Sequence, residues 1–594
     1  MDQRNLILAI VLSLGILLTY EVFIGGPQRQ DLLDQSETAQ TGETAQQPGA
    51  EIPTPPSGDT TSGTAAGGQG ELAEAESTAN RADALAQGPR IAIQSPTLLG
   101  SISLEGGRFD DLTLKRYRET IEPDSPRIEL LHPLGAARPY FANFGWSAGD
   151  GGPPVPGRDS LWQADGRTLG PGSPVTLTWD NGEGLRFERK VELDESYMFT
   201  VTQRVVNDGD KDVELSPYGL ISRSGTPEVL GFYILHEGLL GVFNETLEEI
   251  DYSDLVGEPP LKFDTTSGWL GITDKYWLTA LIPDQKRQVD ARFLHKAPNG
   301  RDKYQTDYLY QTVTVPAGGT AEVTSRLFAG AKEARLLEAY GEDLGIPLFD
   351  RAVDFGWFFF LTIPFFHALH YFAELLGNFG LAILLLTVLI KLAFFPLANK
   401  SYKAMAKMRK VQPEMLELRE RYGDDKQKLN QEMMALYKRE GANPVSGCLP
   451  VVIQIPVFFA LYKVLFVTIE MRHAPFYGWI QDLSARDPTT VLNLFGLLPW
   501  TVPDLGVLNL LNLGIWPILM GITMMAQHRL NPQPADPVQA KIFFFMPIVF
   551  TFLLAQFPAG LVIYWTWNNL LSILQQALIM KRAGVPIGRQ PKKS

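Results

Sequence analysis

Apolar positions change both period and density along this chain. Residues 5–24, NLILAIVLSLGILLTYEVFI, form the first long apolar run. It outlasts the roughly 7–15-residue core of a cleaved signal, and no A-x-A-like site follows, so residues 1–26 read as an uncleaved anchor helix. Residues 27–88 are rich in Gln, Gly, Thr, Ala, Glu and Pro and almost devoid of large apolar side chains. Such a segment cannot bury enough surface to fold and reads as a disordered tether. From 89 to 340 the period drops to two, as in FTVTQRVV at 199–206, with turn signals NDGD at 207–210 and PAGG at 316–319. The run 313–328 reads as a hairpin, and the whole segment as one β-sandwich.

Beyond residue 350 the runs become long enough to cross lipid. Spans are expected at 377–397, 447–467, 511–529, 542–557 and 560–579, the last four within 443–580. The stretch 491–510 is apolar but broken by Pro499 and Pro503, and reads as a re-entrant or interfacial piece. Residues 350–376 are rich in Phe and interrupted by Pro364. They read as an amphipathic helix on the membrane surface rather than a seventh span. Residues 398–442 are polar and read as two helices around the turn RYGDD, with Asp424 or Asp425 as N-cap and Gly441 then Pro444 as the stop. Met405, Met408, Met415 and Leu418 of the first helix should meet Leu429, Met433, Leu436 and Tyr437 of the second.

Charge supplies the orientation. The chain carries a net −14, yet residues 399–440 hold eleven Lys/Arg against seven Asp/Glu, and the tail 581–594 holds five Lys/Arg and no acid. Basic loops stay in the cytoplasm, so the hairpin and tail belong inside. Counting spans back then puts the β-region outside and the N-terminus inside.

Candidate chemistry is sparse. The one cysteine, Cys448, opens an apolar run and reads as a packing residue. His132, His236 and His295 of the β-region fall in no metal-ligand spacing, and no nucleophile motif stands out, so a binding or spacing domain is expected there. The hairpin presents Lys407, Arg409, Lys410, Arg419, Lys426 and Lys428. Its basic face is either a solubilising surface or a docking arm for an anionic partner.

The strongest anomaly is Lys391, inside LAILLLTVLIKLAFFPLA at 381–398. A charge there costs roughly 3 kcal/mol on insertion scales. Thr387 lies one turn earlier, Gln454 sits in the third span, and Tyr564, Asn568, Ser572 and Gln575 or Gln576 form a stripe on the sixth. Lys391 can snorkel, and Thr, Gln and Asn can bind helices together. A cation without an intramembrane acid to pair with fits better in a groove that water enters from the cytoplasm. The alternative, a solute or ion transporter with an accessory binding domain, calls for inverted repeats or a mid-membrane acid, and neither is visible.

Residues 405–465, opening MAKMRKVQPEMLEL and closing PVVIQIPVFFALYKVL, closely resemble the YidC/Oxa/Alb family of membrane protein insertases. So do APFYGWIQDLSARDP at 474–488 and QFPAGLVIYWTWNNLLSILQQ at 556–576. The resemblance covers the whole chain and implies the Gram-negative form with a large periplasmic domain. It implies a polytopic α-helical membrane protein of six transmembrane helices, five forming the core, with a periplasmic all-β sandwich and a cytoplasmic helical hairpin. It implies an inner-membrane insertase and chaperone rather than an enzyme, with no cofactor, metal or DNA. Its partners would be nascent membrane proteins, the ribosome, the Sec translocon and lipids. Lys391 then stands where the family usually has an arginine in a hydrophilic groove, and Thr387 matches a groove threonine. Gln454, Tyr564, Trp565 and Asn568 complete the expected contact set; Trp565 stands where the family often has a second tyrosine. The segment 489–512 is longer than in shorter family members.

Overall fold

The computed structural model describes residues 80–149, 151–229, 235–423, 425–441, 449–498, 512–531 and 537–582. The expected anchor at 5–24, most of the tether, most of 491–510 and nearly all of the basic tail lie outside the described residues. The chain divides into two compact units that meet at Asp354 and Phe355.

The first unit is built from two sheets, of eleven and nine strands. Pairing is antiparallel throughout, save for Arg90–Gln94 against Thr168–Leu169. The period-two pattern explains why the sheets face each other. In Met198–Asn207, Phe199, Val201, Gln203, Val205 and Asn207 point inward while Arg204 stays in solvent. Phe109 of the larger sheet meets Phe199 of the smaller edge-on, with centroids 5.5 Å apart, and Phe144 lies 5.9 Å from Phe109. Helix α1 (Arg81–Leu85) precedes the first strand, and α2 (Ala334–Leu344) follows the last.

Two readings of this unit need correction. Residues 80–88 are folded and do not belong to a tether. Asn80 caps α1, and Arg81 reaches Asp111, Glu129 and Thr113, so three polar contacts hold a segment that has little to bury. The run 313–328 is not a hairpin. Val313–Val315 pairs with Val213–Ser224 in the larger sheet, whereas Thr320–Ala331 pairs with Met198–Asn207 and Trp277–Ile282 in the smaller. The PAGG turn carries the chain from one sheet to the other. Asn207 anchors it, donating from Nδ2 to the Val315 carbonyl at 3.0 Å and exchanging backbone bonds with Gly318 and Gly319.

The three histidines of this unit each take a separate acidic neighbour. His132 lies 3.8 Å from Glu129, His236 bonds Asp251 at 3.0 Å, and His295 bonds Asp302 at 2.9 Å. Among the described residues, no group of three His, Cys, Asp or Glu side chains could hold a metal. His236 is also clamped through Nε2 to the Leu239 carbonyl at 3.0 Å, so both ring nitrogens face acceptors. Burial alone would lower its pKa, but Asp251, Glu249 and that carbonyl outweigh it and raise the value above 6.5. A raised folded pKa stabilises the fold fully below pH 6.5 and loses that contribution as pH rises through the folded value. The urea midpoint of a fragment spanning 80–354 should therefore fall between pH 6 and 8.5, and His236→Gln should flatten that dependence. An equally steep dependence in the variant would refute the assignment.

The second unit is helical: α3 (Phe359–Leu376), α4 (Phe379–Ala393), α5 (Phe395–Tyr422), α6 (Lys426–Glu440), α7 (Leu449–Val467), α8 (Ile515–Leu530), α9 (Pro537–Leu554) and α10 (Ala559–Arg582). Helices α4 and α5 meet at Phe394 with a bend of 68°. Pro396 at the start of α5 has no N–H to continue the α4 ladder and its ring crowds the preceding turn. The expected span 377–397 thus stops at Ala393, and the first hairpin helix starts at Phe395. Among the described residues, one helix, α3, or two if α4 and α5 are one bent span, is long and apolar enough to cross a membrane by length and composition. The Asn, Ser and Gln stripe of α10 lowers its mean hydropathy.

The hairpin seam forms largely as the spacing predicts. Val411, Met415 and Leu436 are its buried centre, with Met408, Leu418, Met433 and Tyr437 packed around them. Asp425 caps α6 by accepting from the Lys428 N–H at 3.0 Å, and Gly441 ends it at φ 57°. Met405 departs from the seam and packs with Tyr402 and Ile579. Helix α5 therefore has two apolar faces, one for α6 and one for the end of α10.

Candidate functional site

A cavity of about 480 Å³ lies within the second unit, walled by α4, α5, α7, α8, α9 and α10. It is on the hairpin side. Its wall uses the end of α4, the start of α5, the end of α8 and the stretch of α10 after Tyr564. Lys391 projects into it, and among the described residues no acidic side chain lines it. The Lys391 ammonium donates to Ser572 Oγ at 2.8 Å, and Ser572 Oγ donates onward to the Asn568 carbonyl at 2.8 Å. The serine proton is thereby committed to the helix, and a lone pair is presented to the lysine. Tyr402, from beyond the bend, lies on the same wall close to Ser572. Gln454 Nε2 donates to the Tyr564 hydroxyl at 2.8 Å, and Trp565 stacks obliquely on Phe458 at 4.4 Å.

Two polar atoms on this wall, Asn568 Oδ1 and Gln575 Nε2, are buried without a partner among the described residues. Buried amides are ordinarily satisfied, and the cavity has room for roughly ten or more waters beside them. Lys391 keeps up to two ammonium donors for the same space. Two neighbouring amides tie helices together: Asn569, itself on the wall, donates to Thr523 at 3.3 Å, and Gln576 of the stripe to the Leu530 carbonyl at 3.2 Å.

Of the groove residues expected from sequence, Lys391, Gln454, Tyr564, Trp565 and Asn568 meet on this wall. Thr387 does not. It is buried, and its hydroxyl turns back to the Ile383 carbonyl at 2.6 Å. One turn of spacing put it on the face of Lys391, but a threonine in a helix readily bonds its own i−4 carbonyl. Sequence reasoning did not single out Ser572 as the lysine's partner, nor Tyr402 and His528 as wall residues. Only the i+4 step from Asn568 to Ser572 hinted at the first.

The hairpin set divides similarly. Lys407, Lys410 and Lys428 are exposed, and Lys428 lies over the Tyr422 ring at 5.2 Å. Arg419 is half-buried. Arg409 is buried, with its guanidinium against Met580 Sδ at 3.9 Å, so it belongs to the contact between α5 and α10 rather than to the outer surface. The side chain of Lys426 lies outside the described residues.

The far end of the helices is sealed. Asn378 caps α4 and donates to the Pro475 carbonyl at 3.1 Å. Gly380 lets Phe476 close in, since a Cβ there would lie 2.0 Å from the ring. Ala559 and Gly560 N–H groups donate to the Ala485 and Leu483 carbonyls at 2.7 and 2.9 Å. Asp487 ties this loop to α8, accepting from the Trp516 N–H at 2.9 Å and from the Trp479 indole at 3.0 Å. The motif at 474–488 is therefore a plug over the ends of α4, α8 and α10 opposite the hairpin.

Comparison with known proteins agrees with this architecture. Residues 90–368 match the family described as the YidC periplasmic domain, and 371–585 the 60Kd inner membrane protein family. Membrane protein insertase YidC of Methylorubrum extorquens is 52% identical over 99% of this chain and 96% of its own length. The chain belongs to the YidC family of membrane protein insertases. The YidC of Bradyrhizobium diazoefficiens is 51% identical over 99% of this chain and 97% of its own. A YidC insertase crystal structure with its first transmembrane domain resolved is 17% identical, covers 82% of this chain and 91% of its own, and superposes with a TM-score of 0.35. As in other YidC proteins, a β-rich periplasmic-type domain precedes a helical membrane region.

Proposed function

We propose that this chain inserts nascent proteins into the inner membrane, and helps them fold, without bond-making chemistry. The observation that carries the reading is Lys391, held by Ser572 on a polar strip of a largely apolar pocket with no acid among its described lining residues. A polar or acidic outside segment of a nascent protein enters the pocket from the cytoplasmic side. Water and the ammonium lower its cost at membrane depth. The apolar segment that follows slides along α7 and α10 into lipid, driven by apolar transfer and by the membrane potential on translocated charge.

In this reading the chain has six spans, counting the anchor, with both ends in the cytoplasm and the β-unit outside. Helix α3 lies along the outer membrane surface. The exposed Lys407, Lys410 and Lys428 dock the ribosome, and the chain works alone or beside the Sec translocon. A photoreactive amino acid at position 391 should crosslink to a ribosome-stalled nascent chain while its outside segment is crossing, and release it after completion. Crosslinks confined to the exposed face of α3 would displace the pocket from this role.

A further inference from the structure

The plug carries an apolar surface turned away from the protein. Leu497 is 82% exposed, the most exposed large apolar side chain among the described residues, and Leu494 is 52% exposed. Phe495 and Leu498 join them, and Tyr477 and Trp479 are exposed earlier in the same loop. This tip is built rather than loose. Leu494 and Phe495 are held at φ 51° and 60°, a left-handed conformation unfavourable for such residues. The Phe495 N–H donates to the Thr490 carbonyl at 2.7 Å, the Leu498 N–H to the Asn493 carbonyl at 3.1 Å, and the Gly496 N–H to Asn493 Oδ1 at 2.8 Å. The turn satisfies these backbone groups internally while presenting four apolar side chains outward.

The few charges of this loop are tied to neighbouring polar groups. From Pro475 to Leu498 the ionised side chains are Asp482, Arg486 and Asp487. Asp482 accepts from the His473 and Ser484 N–H groups, Arg486 donates to the Gln556 carbonyl at 3.0 Å, and Asp487 caps α8. A loop bathed in water would turn the leucines inward. Apolar side chains outward, charges and backbone groups hydrogen-bonded within the protein, and an exposed Tyr and Trp in the same loop are the pattern of a surface seated at a lipid interface. Helices α8 and α9 also carry exposed apolar side chains, at Ile522 and Leu553.

We infer that this tip is a lipid-binding site, with Leu494, Phe495, Leu497 and Leu498 among the acyl chains of the leaflet opposite the hairpin. Tyr477 and Trp479 sit at its headgroups. The tip anchors the plug to the bilayer, so the helix ends it covers are fixed at a set depth. The single Cys448 makes a cysteine-free background one substitution away. In the full chain carrying Cys448→Ala and Leu497→Cys, an environment-sensitive fluorophore would be attached and the protein reconstituted alone in vesicles of phosphatidylethanolamine and phosphatidylglycerol. Nitroxide on the acyl chain should quench it at least about twofold more than aqueous iodide, with blue-shifted emission. The same probe at Tyr477→Cys should respond best to a headgroup nitroxide. Water-like emission and free access to iodide at position 497 would overturn the proposal. So would protection that appears only after a Sec translocon or a nascent chain is added, which would make the tip a protein-docking surface.

Discussion

Lys391→Ala should cut insertion of single-spanning substrates with acidic outside tails by tenfold or more, while Lys391→Arg should stay within about threefold of the parent. In the proposed function the pocket supplies two things to an arriving carboxylate: room for water around Asn568 and Gln575, and one ammonium fixed by Ser572. Opposite unit charges 4 Å apart gain about 4 kcal/mol at an effective dielectric of 20, and even a third of that is a tenfold effect. Alanine leaves the water and removes the charge. Substrates with neutral tails should therefore pass the alanine variant nearly unhindered, which separates electrostatics from simple loss of the pocket. Depletion of the resident insertase, complementation with each variant and protease protection of the translocated tail would measure this. Full insertion of acidic tails by Lys391→Ala would show that only the water matters.

Asp487→Ala should be the most damaging single change in the plug. Its Oδ2 accepts from the Trp516 N–H in the first turn of α8, where a carboxylate also suits the helix dipole. Its Oδ1 accepts from the Trp479 indole, the Thr489 N–H and the Thr489 hydroxyl, the last at 2.6 Å. Gly514 permits this approach, since a Cβ there would lie 2.6 Å from the Asp487 carboxyl carbon. Losing a charged cap and its shared bonds costs on the order of 3 kcal/mol. The thermal midpoint in detergent should fall by roughly 5 °C or more. Asp487→Asn keeps an acceptor and should lie between. A midpoint unchanged by the alanine would mean that the plug is held elsewhere. Because these contacts lie away from the pocket wall, substrate charge preference should not change.

Much of the helical unit was legible because its signals are local. Lys391 announces itself as a charge in an apolar run, the hairpin seam follows from spacing, and Asp425 and Gly441 mark where α6 begins and ends. Met405 and Arg409 were misplaced because periodicity shows that a residue has a face, not which neighbour that face meets. The β-unit shows the same limit. Strands at 198–207 and 320–331 are visible as alternation, but nothing in VTVPAGGTAEV tells a hairpin from a crossover between sheets. That choice is made by Asn207, more than a hundred residues upstream. The role of Asp487 is equally hidden, since its partner Trp516 lies far along the chain. The pairing of Lys391 with Ser572 spans 181 positions and needed the fold to bring α4 against α10.

The 68° bend at Phe394 has a mechanical consequence. Helix α5 runs for 28 residues with Pro413 inside it, so it is an arm of about 42 Å pivoted at one end. A rotation of about 10° at the pivot would carry the far tip through roughly 7 Å, yet shift Tyr402 and Met405, on the pocket wall near the fulcrum, by only about 2 Å. The gearing also works in reverse: a load on the hairpin tip reaches the pocket mouth reduced in travel and multiplied in force. Whatever grips the exposed lysines of the hairpin therefore holds the long end of a crank whose short end lies close to the serine that positions Lys391.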